Sequence, residues 1–131
     1  GQSTPALPEP LRSYVNSDFK KIRWKRLGLK VSQHAIETKE NSLTTRLLRI
    51  PGGTIIPEHS HDGTEMTLVL SGAYSDQTGR YRKGDLQIAD KKTRHQPRAE
   101  LGKDCICLVV TDAPLKFKNF GARIAQPFFG I

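Results

Sequence analysis

Apolar and polar positions alternate in short stretches, with the two-residue repeat of a β-strand rather than the 3.6-residue repeat of a helix. Ile22 and Trp24 alternate with charged neighbours, and Leu27, Leu29 and Val31 alternate on the opposite parity. A bulge near Lys25-Arg26 would reconcile the two phases. Strands are predicted over residues 43–50, 64–70, 85–89, 93–98 and 104–111, with a turn at Pro51-Gly52-Gly53. Residues 73–81 read as a hairpin with its own turn from Asp76 to Gly79. The run Cys105-Ile106-Cys107-Leu108-Val109-Val110 is apolar on both parities, so that strand is expected to be covered on both faces. Short strands at regular spacing, with no long helix and no internal repeat, predict an all-β sandwich or barrel.

The two ends break this pattern. Residues 1–14 are Pro-rich at Pro5, Pro8 and Pro10 and read as an extended linker or N-terminal arm, leaving 15–131 as a single domain. The chain opens on Gly1 rather than Met, as a processed start or a piece of a longer protein would. The tail carries Phe120, Ile124, Phe128, Phe129 and Ile131. Exposing five large apolar groups is costly, so the tail is expected to pack over a sheet or into a twofold partner, giving a homodimer in the second case.

At 131 residues the chain can bury one core. No apolar run approaches the ~18 residues that read as a membrane span, and no secretory signal opens the chain, so no membrane partner is expected. Cys105 and Cys107 are one residue apart, where a mutual disulfide would be strained. That argues against a secreted disulfide scaffold and for a reducing, cytoplasmic compartment. The net charge of +8 is uneven: residues 1–50 hold 10 basic and 4 acidic side chains, hence +6. Lys20, Lys21, Arg23, Lys25, Arg26 and Lys30 form its densest part, read here as a solvated strand face. No aromatic platform accompanies it, and no direct nucleic-acid partner is expected.

The chemistry concentrates in G-T-I-I-P-E-H-S-H-D-G-T-E-M-T-L-V-L-S-G, residues 53–72. On a strand, His59 and His61 present two imidazoles on one side, roughly 7 Å apart along the backbone. Asp62-Gly63 is a turn signal that could bring Glu65 back beside them, and His95 could add a third imidazole from a neighbouring strand. Nitrogen and oxygen donors converging in this way suit a first-row divalent metal: Zn²⁺, Fe²⁺, Mn²⁺ or Ni²⁺. A closed four-coordinate site would favour zinc, whereas open positions would favour iron or manganese and oxygen chemistry. His34 lies outside this set and reads as an ordinary strand histidine. Cys105 and Cys107 share a parity and read as small buried hydrophobes, with redox activity the alternative if they prove exposed and deprotonated.

The spacing Gly53, His59, His61, Glu65, Gly72 resembles the first cupin motif at every position. The second motif is matched at Gly84 and His95, while Asp90 stands where the family usually has Pro, Lys92 where it has Gly, and Ala99 where it has Asn. The resemblance implies a cupin (RmlC-like) double-stranded β-helix, a jelly-roll barrel, with a three-histidine, one-glutamate metal site inside. A narrower likeness rests on P-E-H-S-H-D-G-T-E-M-T-L-V-L-S-G-A-Y, G-R-Y-R-K-G-D-L, D-C-I-C-L-V-V-T-D-A-P-L-K-F and Q-P-F-F-G-I. These resemble the C-terminal cupin domain of ChrR-type anti-sigma factors. That family implies His59, His61, Glu65 and His95 as zinc ligands. It also implies a non-catalytic module that answers singlet oxygen or organic hydroperoxide and leads to release of an extracytoplasmic-function (ECF) sigma factor. Those regulators hold sigma through a separate N-terminal helical domain absent from these 131 residues, so the chain is expected to be that regulator's sensor portion or a stand-alone relative. The alternatives are a small Fe²⁺- or Mn²⁺-dependent cupin dioxygenase, with Glu58, Tyr74 and Tyr81 lining its mouth, and a metal-free cupin that binds a small molecule.

Overall fold

The structure is a computed structural model describing residues 22–27, 30–37, 43–57, 59–61, 63–90, 92–112 and 115–117, with the backbone alone for 59–61 and 115–117. Among the described residues every element is a strand: β1 Lys25–Arg26, β2 Ser32–Ile36, β3 Thr44–Ile50, β4 His59–His61, β5 Glu65–Ser71, β6 Ala73–Asp76, β7 Gly79–Arg82, β8 Leu86–Ala89, β9 Arg94–His95, β10 Arg98–Ala99, β11 Cys105–Thr111 and β12 Leu115–Phe117. Among the described residues no helix is long and apolar enough to cross a membrane.

Six strands form one sheet in the order β1-β2-β3-β11-β5-β8, and two three-stranded sheets run β10-β6-β7 and β12-β4-β9. β11 lies at the centre of the large sheet, antiparallel to β3 on one side and β5 on the other. Its two apolar parities explain that place. Cys105, Cys107 and Val109 join Ile50 and Val69 of the same sheet, Leu27 and Val31 of the connection between β1 and β2, and Tyr74 and Ala99 of β6 and β10, in one interior core. Ile106 and Leu108 point the other way, packing with Ile22, Ile36, Leu47, Leu70 and Trp24 on the outer face. The predicted two-sided cover of this strand is what the structure shows.

Several expectations shift. In place of a continuous strand bulged at Lys25-Arg26, the chain reverses: the Leu27 amide donates to the Val31 carbonyl at 2.8 Å, and Lys30 adopts φ 67°. The change of parity therefore marks a hairpin between β1 and β2, which also puts His34 on a strand opposite Leu47. The strand expected over 93–98 is two short pieces, β9 and β10, belonging to different sheets. The hairpin with its turn at 76–79 forms as β6 and β7, with Tyr74 opposite Tyr81. Those two rings stack at 5.1 Å and 24°. Tyr74 is buried in the interior core rather than at an open mouth, with the half-buried Tyr81 packed against it. The N-terminal arm, Lys20 and Lys21 of the basic run, and the apolar tail lie outside the described residues; Arg23, Lys25, Arg26 and Lys30 are exposed.

One glycine is set by close approach. Gly72, at φ 72°, sits between β5 and β6 where a Cβ would fall 2.3 Å from the Asp104 carbonyl oxygen. The contact is backbone, which cannot swing aside, so the position excludes every side chain. This lets the chain leave the large sheet and start the β10-β6-β7 sheet directly against the entry of β11.

Candidate metal centre

Antiparallel backbone pairing aligns the two histidine-bearing segments. The Gly53 amide donates to the Ala99 carbonyl, the Ala99 amide to the Thr54 carbonyl, and the Ile56 amide to the Pro97 carbonyl, each within 2.8–3.0 Å. Ile55 bridges Arg98 in the same sense, and beyond it, with the register shifted by one residue, His59 pairs with His95 across β4 and β9. Two histidines 36 positions apart in sequence thus become direct cross-strand partners. The side chains of His59 and His61 lie outside the described residues, as does Glu58; among the described side chains no cluster of three donors is assembled.

Glu65 comes from the opposite sheet. It opens β5, paired with Thr111 and Ala89. The crossing from β4 to β5 is fixed by Asp112, whose Oδ1 accepts the Thr64 amide at 2.7 Å. Glu65 shares its parity with Val69 of the interior core and is 7% exposed. Thr67 Oγ1 donates to Glu65 Oε1 at 3.4 Å. Burial pushes the carboxyl up to about 7, only partly countered by the Thr67 hydrogen bond and the charge of Arg46. Arg46 is itself buried, with Nη1 donating to Gln33 Oε1 at 3.1 Å. Desolvation draws its guanidinium below the ordinary value, opposed by Glu65.

His95 is 2% exposed. Its Nδ1 lies 2.8 Å from Asp76 Oδ2, and the Asp76 side chain has no exposure at all. Burial alone would raise the Asp76 carboxyl, but hydrogen bonds from Thr78, Gln87 and His95 outweigh it and hold it below its ordinary value. The approach to His95 is made by the departures from the cupin second motif. Asp90 Oδ1 accepts the Lys92 amide at 2.8 Å, and the Thr93 amide closes back on the Asp90 carbonyl at 2.9 Å. An aspartate-built turn serves where proline and glycine would otherwise set the bend.

The interior joins these groups electrostatically. The Tyr74 hydroxyl is pushed well up by burial first, then by the charges of Cys107, Asp76 and Glu65. One phenol thus feels carboxylates from both layers. Cys105 and Cys107 are free, fully buried and 3.5 Å apart at sulfur. The contact with Cys105 and then burial raise the Cys107 thiol, as in a thiol serving as a small hydrophobe. Sequence reading missed Asp76, Gln87 and Arg46. The only signal for Asp76 is that it shares the inward parity of Tyr74, which a turn aspartate in D-Q-T-G conceals.

A buried imidazole held by a carboxylate, a buried carboxylate on β5, and two histidines on β4, one of them paired with His95, are donor types that suit a divalent cation. The class of fold is the cupin. Among solved structures, an RmlC-like cupin from Ralstonia eutropha overlays on 79% of this chain and 71% of its own, with a TM-score of 0.66 at 20% identity. The chain belongs to the ChrR cupin-like domain family, whose sequence profile matches residues 13–114. It is 47% identical over 130 residues to the anti-sigma-E factor ChrR of Cereibacter sphaeroides, covering 99% of this chain but 61% of that protein. The crystal structure of Rhodobacter sphaeroides SigE in complex with the anti-sigma factor ChrR matches with a TM-score of 0.77 and 46% identity, over 83% of this chain and 60% of that one. The chain therefore spans about three-fifths of the length of each of these two relatives.

Proposed function

We propose that this chain is the zinc-binding sensor module of an anti-sigma factor acting in the cytoplasm. His59, His61, Glu65 and His95 would hold the ion, and an ECF sigma factor would be the partner, held through a further domain. Bound there, zinc would supply a positive charge that neutralises Glu65 and ties the small β12-β4-β9 sheet to the large one. The observation that carries this reading is the cross-strand pairing of His59 with His95, which brings two histidine-bearing strands side by side. His95 is buried with its Nδ1 against Asp76, the outer partner that a metal-ligating imidazole usually has. The family relationship supplies the regulatory role: the curated relative is an anti-sigma factor, and a solved relative is bound to its sigma factor. The stimulus in this reading is singlet oxygen or a hydroperoxide, which would damage the site and bias the arrangement of the domains.

Elemental analysis of the protein, purified without chelators, tests the metal. One equivalent of zinc is expected. Metal that binds the folded state alone adds RT ln(1 + [L]/Kd), about 2.7 kcal/mol at a free concentration of 100 Kd, so chelation is expected to lower the melting temperature by about 10 °C. Protein with no metal, or an unchanged melting curve after verified removal, defeats the reading. Exposure to photosensitised singlet oxygen is expected to release the zinc; full retention would remove the sensing role while leaving the site.

A further inference from the structure

Asp76 does more than neutralise a neighbour. Its carboxylate accepts from four donors: His95 Nδ1 and Gln87 Nε2 reach Oδ2 at 2.8 Å each, and the Thr78 amide and hydroxyl reach Oδ1 at 2.8 and 2.6 Å. Gln87 cannot turn its amide round. Its Oε1 receives the Tyr74 hydroxyl at 2.5 Å, which commits Nε2 to Asp76 and to Thr78 Oγ1 at 3.1 Å. Thr78 Oγ1 in turn lies 2.6 Å from the Tyr81 hydroxyl, and the two tyrosine rings stack. The β6–β7 turn, β8 and β9 thus hold one carboxylate in one orientation, and β8 belongs to the large sheet. An acceptor-only oxygen facing Nδ1 places the imidazole proton on that nitrogen, which makes Nε2 the nitrogen with a lone pair to give.

We propose that Asp76, clamped by Gln87 and Thr78, is the positioning residue of the metal centre: it fixes the tautomer and ring plane of His95 so that Nε2 is presented as the ligand atom. The assignment rests on the metal-binding reading above. It also gives the Tyr74–Gln87–Asp76 chain a purpose: a buried polar network is worth keeping when each member constrains the next.

The test uses the 131-residue chain, with zinc affinity measured by competition against a chromophoric chelator and the His95 ring read by ¹⁵N NMR. Asp76→Asn keeps the shape but removes the charge and lets an NH₂ face the ring. Zinc affinity is expected to fall about 10- to 100-fold, the usual cost of losing such an outer partner. In metal-free wild type the ring signal should show the proton on Nδ1, and in D76N it should move toward the Nε2–H form. A purely structural role would lower the melting temperature without changing the tautomer. Wild-type zinc affinity and an unchanged ring signal in D76N would overturn the assignment while leaving the metal reading intact. A wild type that binds no zinc would sink the metal reading, and with it this role for Asp76. If D76N does not fold, Gln87→Met removes the amide's hydrogen bond to Asp76, together with those it makes with Thr78 and Tyr74, at similar volume, with an expected loss of about 3- to 10-fold in affinity. Unchanged affinity in Q87M would then count against the clamp.

Discussion

Metal-free protein is expected to lose about 3 kcal/mol of unfolding free energy between about pH 5 and about pH 8, and Glu65→Gln to lose far less over the same interval. The sign follows from burial. The Glu65 carboxyl is raised to about 7 in the folded state from an ordinary value of 4.5. Between those values the folded chain binds a proton that the unfolded chain has released. Stability from this group is therefore complete below the unfolded value and is lost as pH rises through the folded one. Urea unfolding midpoints of the two proteins across that range would measure it, and parallel curves would show that Glu65 is not the cause. With zinc in excess the trend should reverse. A ligating carboxylate must be ionised, so binding expels the proton, and the metal's contribution grows with pH.

Leu47→Ala is expected to cost about 2–5 kcal/mol, the range for deleting a buried leucine where the surroundings cannot collapse. Leu47 has no exposure and sits on β3, under Ile22, Ile36, Leu70 and Ile106. Strands on both sides hold its backbone, so the cavity would persist. Leu101→Ala removes the same atoms from a residue 87% exposed and should be nearly neutral. Thermal melts of the two variants give the comparison; equal losses would mean that the outer cluster does not pack as described.

Most of the strand framework could be read from the alternation of apolar and polar residues. β3, β5, β8 and β11 fall within a residue or so of their predicted ends, because each has one clearly buried parity. The misread places are those where periodicity carries no information about direction. Leu27 to Val31 looks like a strand whose phase has slipped, and only the backbone bond across it reveals a reversal. Residues 93–98 are too short to show that Arg94-His95 pairs with one sheet and Arg98-Ala99 with another. Of the candidate site, the donor types and the arrival of His95 on a strand beside His59 could be read from the sequence, and the backbone pairing of those strands agrees. The support of His95 by Asp76 was not, since it depends on a hairpin turn carrying its aspartate inward and on a glutamine arriving from the other layer.

The central place of β11 has a temporal side. Its partners in the sheet are residues translated 35 to 67 positions earlier (Ser71 with Ile106, Thr44 with Thr111), so neither β3 nor β5 can zip fully against it until the chain has been made as far as Thr111. Pairings so distant in sequence must close large loops before they yield any enthalpy, which puts the domain among the slower single-domain folders, in milliseconds to seconds. In the cell, the nascent half-sheet would wait with its apolar seam uncovered, and a chaperone holding it through that interval would serve this protein more than one acting after release.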